Sequence, residues 1–315
     1  MKTQDDVESL PGRLRGVQPR AESALTDRRP KARRPQPNRV DFRNVTCDTF
    51  SPVGHNSLIS EDDEPEPYAV LNPRGEAPAL VVCDHASRAF PRRLGRLGLD
   101  ELSTWQHIAW DIGAGELARG LSHALDAPAV LAGYSRLVVD LNRAPGDEEA
   151  IRSESDGCPI PGNQAATSDE RQLRFASIFD AYHRCIDGWL DRIVARRTVP
   201  MLIAVHSFAP RLDTAGAERP WHTGVLWDHD ESNARRLMQG LRAEPGLVVG
   251  DNEPYSGKHP ANYTIDHHAK VRRLPHVCIE VRQDLLESPP GVEAWVQRLA
   301  GILQSMIAEP ETART

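Results

Sequence analysis

Long apolar runs are missing from this 315-residue chain. None approaches the roughly 18 residues that a membrane-spanning helix needs, so no bilayer span is expected. The first residues lack the apolar core of a secretory leader, and the twin arginine Arg28-Arg29 has nothing hydrophobic behind it. Cysteine is scarce and unpatterned: Cys47, Cys83, Cys158, Cys185 and Cys278 show no Cys-x-x-Cys spacing. An odd number without pattern argues against a disulfide framework, and Cys83 and Cys278 sit in apolar runs where a thiol acts as a small hydrophobe. A reduced, cytoplasmic setting is the expectation. A net positive charge is also lacking. A net charge of −7 argues against a nucleic-acid-binding protein as a whole.

Residues 1–66 hold many Pro, Arg, Asp and Ser and no periodic apolar face. Arginines and one lysine crowd the stretch from Arg28 to Arg43, and Glu61 to Glu66 reads "EDDEPE". Such a segment cannot bury enough surface to offset its ordering entropy, so a disordered extension is expected, solvated rather than bound to nucleic acid. Residues 67–315 are expected to form a single α/β hydrolase domain. Its short apolar runs are 79–83, 127–131, 136–141, 199–205, 223–227, 246–250 and 275–281. Their length and β-branched content suggest strands buried on both faces. Helical patterns lie between them at 101–125, 168–196, 231–244 and 291–307. Alternating strands and helices predict a three-layer α/β/α fold with a mixed, mostly parallel central sheet.

The expected strands end in polar residues. "ALVVC" runs into Asp84-His85, "RLVVDL" into Asn142-Arg143, and "MLIAV" into His206-Ser207. "TGVLW" meets Asp228-His229, and "GLVVG" meets Asp251-Asn252-Glu253. Open α/β sheets bind ligands beyond the carboxyl ends of their strands. A lone histidine there is most often structural, but His85 and His206 at equivalent ends could be two legs of a zinc site. No HExxH motif or cysteine cluster competes with them. Glu280 lies inside "HVCIEVRQD", where alternation puts Val277, Ile279 and Val281 on one face and Cys278, Glu280 and Arg282 on the other. It is either an ion-pair partner of Arg282 or a general base beside a metal-activated water. Asn142-Arg143 is either a surface pair or a clamp for a carboxylate.

The stretches "CDHAS", "HIAWDIGA", "SRLVVDLNR", "SDGCPIPGN", "HSFAP", "RPWHTGVLW", "GDNEPYS", "YTIDHHA" and "EVRQDLL" follow one another between about 79 and 287. In this order they resemble the N-formylglutamate amidohydrolase family, which is similar to the zinc carboxypeptidases and desuccinylases. The resemblance implies a phosphorylase/hydrolase-like, zinc carboxypeptidase-like fold and a metal-dependent hydrolase of linear amides, with N-formyl-L-glutamate as lead substrate. It implies Zn²⁺ on His85 and His206, Glu280 as base, and Asn142-Arg143 as anchor for a small-molecule substrate carrying a carboxylate. The carboxypeptidases use a glutamate three residues after the first histidine, where this chain has Arg88. Asp111 in "HIAWDIGA" is the candidate third ligand, with an ion-pair or capping role as its other reading. Arg136, Arg219, His222, Asn252, Tyr255 and His268 are further substrate-pocket candidates, each with a structural alternative. Two rivals stay open: a related amidase acting on another N-acyl amino acid or short peptide, and a metal-free binding protein on the same fold.

Overall fold

The computed structural model describes residues 58–59, 63–212, 214, 216, 218–258 and 262–309. Most of the expected extension, with its arginine-rich stretch and Cys47, lies outside the described residues. Its end does not. Leu58 is buried among core side chains, and the Tyr134 hydroxyl donates to the Pro65 carbonyl. Packing therefore begins before residue 67.

In chain order the strands are β1 (Tyr68–Leu71), β2 (Ala79–Cys83), β3 (Ala129–Ala132), β4 (Glu154–Ser155), β5 (Cys158–Pro159), β6 (Met201–Phe208), β7 (Thr223–Leu226), β8 (Val249–Asp251) and β9 (His276–Arg282). β4 and β5 form a small ribbon, and the others make one sheet in the order β1-β3-β2-β6-β9-β7-β8. β3, β2, β6 and β9 run parallel. β1 and β7 pair antiparallel at either side of them, and β8 follows β7 in parallel. The sheet is mixed and mostly parallel, as expected.

Both faces of the central strands are apolar, which calls for a layer on each side. Met201, Ile203 and Val205 of β6 and Val277, Ile279 and Val281 of β9 enter one core. Leu202 and Ala204 with Cys278 enter the other. The helices are α1 (Ala114–Ala124), α2 (Pro161–Gln164), α3 (Ser168–Arg174), α4 (Asp180–Ala195), α5 (Glu231–Arg242) and α6 (Pro289–Ala308). α1, α5 and α6 cover the first face; α4 and a π-helical turn at Ile265–Lys270 cover the second. The pattern at 168–196 is helical throughout, as α3, a π-helical stretch Phe175–Phe179, and α4. It starts where Thr167 accepts the Glu170 N–H, a side-chain cap three residues ahead of a glutamate.

Three expectations change. The run 136–141 is not a strand but a turn whose Leu137, Val138, Val139 and Leu141 are all buried. A short apolar run signals burial without distinguishing a strand from a packed turn. The pattern at 101–125 becomes an α-helix only from Ala114, after a single 3-10 turn at Ser103–Trp105. Gly113 takes a φ of 79°, and a Cβ there would sit 2.4 Å from the Leu286 Cβ, so the chain turns sharply before α1. Finally, β8 begins at Val249 rather than 246, after a turn at Gly246 with φ 82°.

Candidate active site

His206 lies inside β6, near its carboxyl end, and its Cα is the register partner of Glu280 on β9. Register partners on neighbouring strands point the same way, so both project from the face that carries Cys278. His85 stands two residues beyond β2. Its carbonyl accepts the Asp111 N–H at 3.0 Å, which folds the turn before α1 over the end of β2. Asp111 thus reaches the site from a turn rather than from the expected helix.

The His85 and His206 rings are 5.0 Å apart between centroids. Their Nδ1 atoms lie 3.2 and 2.9 Å from one oxygen, Asp111 Oδ2. A tetrahedral ion with bonds of about 2.0–2.1 Å places its donors about 3.3 Å from one another. Both nitrogen–oxygen separations are near that spacing, and the three ligand atoms lie within 4.8 Å of one another, a group that could hold a metal ion. The far nitrogen of each ring faces its own aspartate: His85 Nε2 is 2.8 Å from Asp140 Oδ1, and His206 Nε2 is 3.3 Å from Asp84 Oδ2. The second of these is an ion-pair distance without hydrogen-bond alignment, and it leaves both atoms without a hydrogen-bond partner. Carboxylates behind the histidines fix which nitrogen faces forward and increase its basicity.

The site draws positive charge. Burial opposes the charged form of His206, yet its hydrogen bond to Asp111 and the nearby Asp84 carboxylate hold its pKa well above the ordinary value. Burial likewise opposes ionised Asp111, and the two imidazoles hold it far below the usual carboxylate range. Arg136 neutralises the remaining oxygens, reaching Asp140 Oδ2 at 2.7 Å and Asp111 Oδ1 at 3.3 Å. Glu280 behaves differently. Burial pushes its carboxyl up to about 7, against the pull of His206 and with the push of Asp111. Its Oε2 is buried without a hydrogen-bond partner. Arg282 does not pair with it and instead holds Asp284 at 2.8 Å.

The substrate-pocket candidates divide. Arg136 is engaged by Asp111 and Asp140. Tyr255 and Arg219 pair at 2.9 Å, and the Tyr255 phenol is raised by burial and then by Glu280, which places it within electrostatic reach of that carboxyl. Asn142 shapes the site through its surroundings: its N–H donates to Asp140 Oδ1 and its side-chain oxygen accepts the Thr264 N–H. Arg143, half-buried, is next on that turn. Three others belong elsewhere. His222 Nδ1 accepts the Val248 N–H, and its side chain faces a depression lined by Trp295 and Arg298 of α6, across the sheet. Asn252 accepts the Trp227 and Gly257 N–H groups and pins a turn. His268 is buried between His183 and Asp187. Arg88 stacks over Trp105, 3.3 Å from the ring centroid.

Asp84, Asp140, Tyr182 and Thr264 are site-building residues that the sequence pattern does not assign. The Tyr182 and Thr264 hydroxyls donate to Asp84 Oδ1 at 2.8 and 2.9 Å, leaving Oδ2 toward His206. The one legible signal was an aspartate next to His85; its partner, however, is the other histidine.

A family model described as N-formylglutamate amidohydrolase matches residues 77–287. The N-formylglutamate deformylase of Pseudomonas aeruginosa is 23% identical over 248 residues, which span 75% of this chain and 92% of that protein. The crystal structure of a gene product of Agrobacterium tumefaciens matches with a TM-score of 0.74 at 30% identity, covering 80% of this chain and 97% of that one. A crystal structure of N-formylglutamate amidohydrolase from Ralstonia eutropha matches at 0.56 and 19% identity, over 77% and 97% of the two chains, and shares the fold.

Proposed function

The chain belongs to the N-formylglutamate amidohydrolase family, and from that membership we propose that it is a zinc-dependent hydrolase of the linear amide of an N-acyl amino acid. N-formyl-L-glutamate is the lead substrate, giving formate and L-glutamate. The observation that carries this reading is the convergence of His85 Nδ1, His206 Nδ1 and Asp111 Oδ2 beside a buried Glu280.

Zinc held by those three residues would supply Lewis-acid polarisation of the amide carbonyl and a lowered pKa for the attacking water. Asp140 and Asp84 keep the two imidazoles facing forward. Glu280 takes a proton from the attacking water and returns it to the leaving nitrogen. A carboxyl raised to about 7 is matched to both transfers near neutral pH. Arg143 anchors the substrate carboxylate from the turn that Asn142 ties to Asp140 and Thr264. The Arg219–Tyr255 pair lies within electrostatic reach of Glu280 and forms a second polar wall.

Metal analysis of purified protein combined with a panel of N-formyl and N-acyl amino acids tests this reading. Zinc in the preparation and fastest turnover of N-formyl-L-glutamate are expected. Faster turnover of another N-acyl amino acid would move the substrate and leave the chemistry in place. Absence of metal from an active preparation would overturn the mechanism.

A further inference from the structure

The stretch Tyr263 to Ala269 carries two histidines that take no part in the site described above. His268 is fully buried, and its environment can be read by following protons. His183 Nε2 lies 2.9 Å from the Leu141 carbonyl. A carbonyl only accepts, so Nε2 carries the hydrogen. The ring is buried, which disfavours a charged imidazole, so with Nε2 carrying the hydrogen its Nδ1 is a lone pair. His268 Nε2, 2.8 Å from that lone pair, must donate. In the neutral ring this leaves His268 Nδ1 as an acceptor, 2.9 Å from another acceptor, Asp187 Oδ1. Two acceptors at this separation repel unless positive charge lies with them.

A third donor stands beside that pair. His267 joins His268 and Asp187 so that one ligand atom from each lies within 4.8 Å of the others. Arg272 is the competing cation. Its bond to Asp187 and that of His268 both fall on Oδ1, and its other arm is held by Asp191 at 2.6 Å. The Asp187 side chain is 35% exposed, so an ion can arrive from solvent.

We infer that Asp187, His267 and His268 form a second cation site, suited to a divalent ion that favours imidazole, such as Zn²⁺, Co²⁺ or Ni²⁺. His183 is its hydrogen-bonded backing. The site fastens the π-helical turn at 265–270 to α4. Those two elements carry or adjoin Thr264 and Tyr182, whose hydroxyls hold Asp84 behind His206. The second ion therefore braces the element pair that orients the first site, and its existence does not depend on the proposed activity.

Calorimetric titration of metal-free full-length protein with Zn²⁺, checked by elemental analysis, tests this. Two ions per chain are expected. Asp187→Asn should remove one of them. His267→Phe, which keeps an aromatic ring stacked on Tyr263, should remove the same ion. His206→Ala should remove the other. His267 is exposed, so its variant remains decisive if loss of the Asp187–Arg272 pair unfolds the chain. A native ion count that His267→Phe does not lower overturns the inference, whether the chain holds one ion or two. So does a second ion whose affinity falls less than about tenfold in His267→Phe, since loss of a direct ligand costs at least as much as loss of its support.

Discussion

A buried carboxyl with no hydrogen bond to one of its oxygens is a costly thing to keep, and Glu280 is kept on a central strand. The simplest structural role, pairing with Arg282, is ruled out by the Arg282–Asp284 pair. Glu280→Gln keeps the shape and removes the base. Turnover should fall by roughly 10²–10⁴-fold, the usual contribution of a general base, while metal content stays at the native level. Burial sets this group at about 7, and a cation on the neighbouring donors pulls it lower. The acid limb of kcat/KM should therefore lie at or below pH 7 and vanish in Glu280→Gln. Near-native turnover in that variant would end the role assigned here. At Arg143 the signature differs. Arg143→Ala should raise KM for N-formyl-L-glutamate and leave an uncharged formyl amide much less affected, because only the former offers a carboxylate to a guanidinium.

Between elements, the decisive contacts are those that hold Asp84. One hydroxyl comes from α4 and the other from the residue before the π-helical turn, so two separate pieces of chain must dock correctly to orient one histidine. Tyr182→Phe and Thr264→Val each leave Asp84 Oδ1 short of a donor without touching a metal ligand. Zinc affinity, measured by competition with a chelator, should fall by roughly 10- to 100-fold, the usual effect of losing a supporting contact. The circular dichroism spectrum should stay native. Unchanged affinity in the double variant would show that Asp84 needs no such support.

Across the molecule, folding is linked to protonation at His183. Its pKa is lowered to about 3 in the folded chain, whereas an unfolded histidine titrates near about 6.5. The unfolded state therefore binds the proton first. Stability from this group is complete above about pH 6.5 and is lost progressively as the pH falls toward 3. Denaturation midpoints measured across that range should show a slope that His183→Gln flattens. The beginning of the fold can be probed separately. Leu58 is only 1% exposed and packs into the second core, so Leu58→Ala should cost about 2–5 kcal/mol in urea unfolding. No measurable loss would return the boundary to residue 67.

Much of the architecture was legible because buried parallel strands leave short β-branched runs whose ends stand out. The runs at 79–83, 199–205, 223–227 and 275–281 each became a strand, and three of them lead to His85, His206 and Glu280. Alternation along β9 also separated Glu280 from Val277, Ile279 and Val281. The run at 136–141 misled because burial alone produced its apolar pattern. β1 went unseen because Tyr68–Leu71 is a short, half-buried edge strand with little contrast to its flanks. What the chain alone determined, then, was which chemical groups would be carried to the ends of the sheet, since local periodicity encodes strands and their faces. Only the tertiary structure decided how those groups are paired. Asp84 backs His206 rather than its neighbour His85, and Asp84 is itself held by hydroxyls 98 and 180 residues away. Such contacts depend on how layers dock, and no local pattern records that.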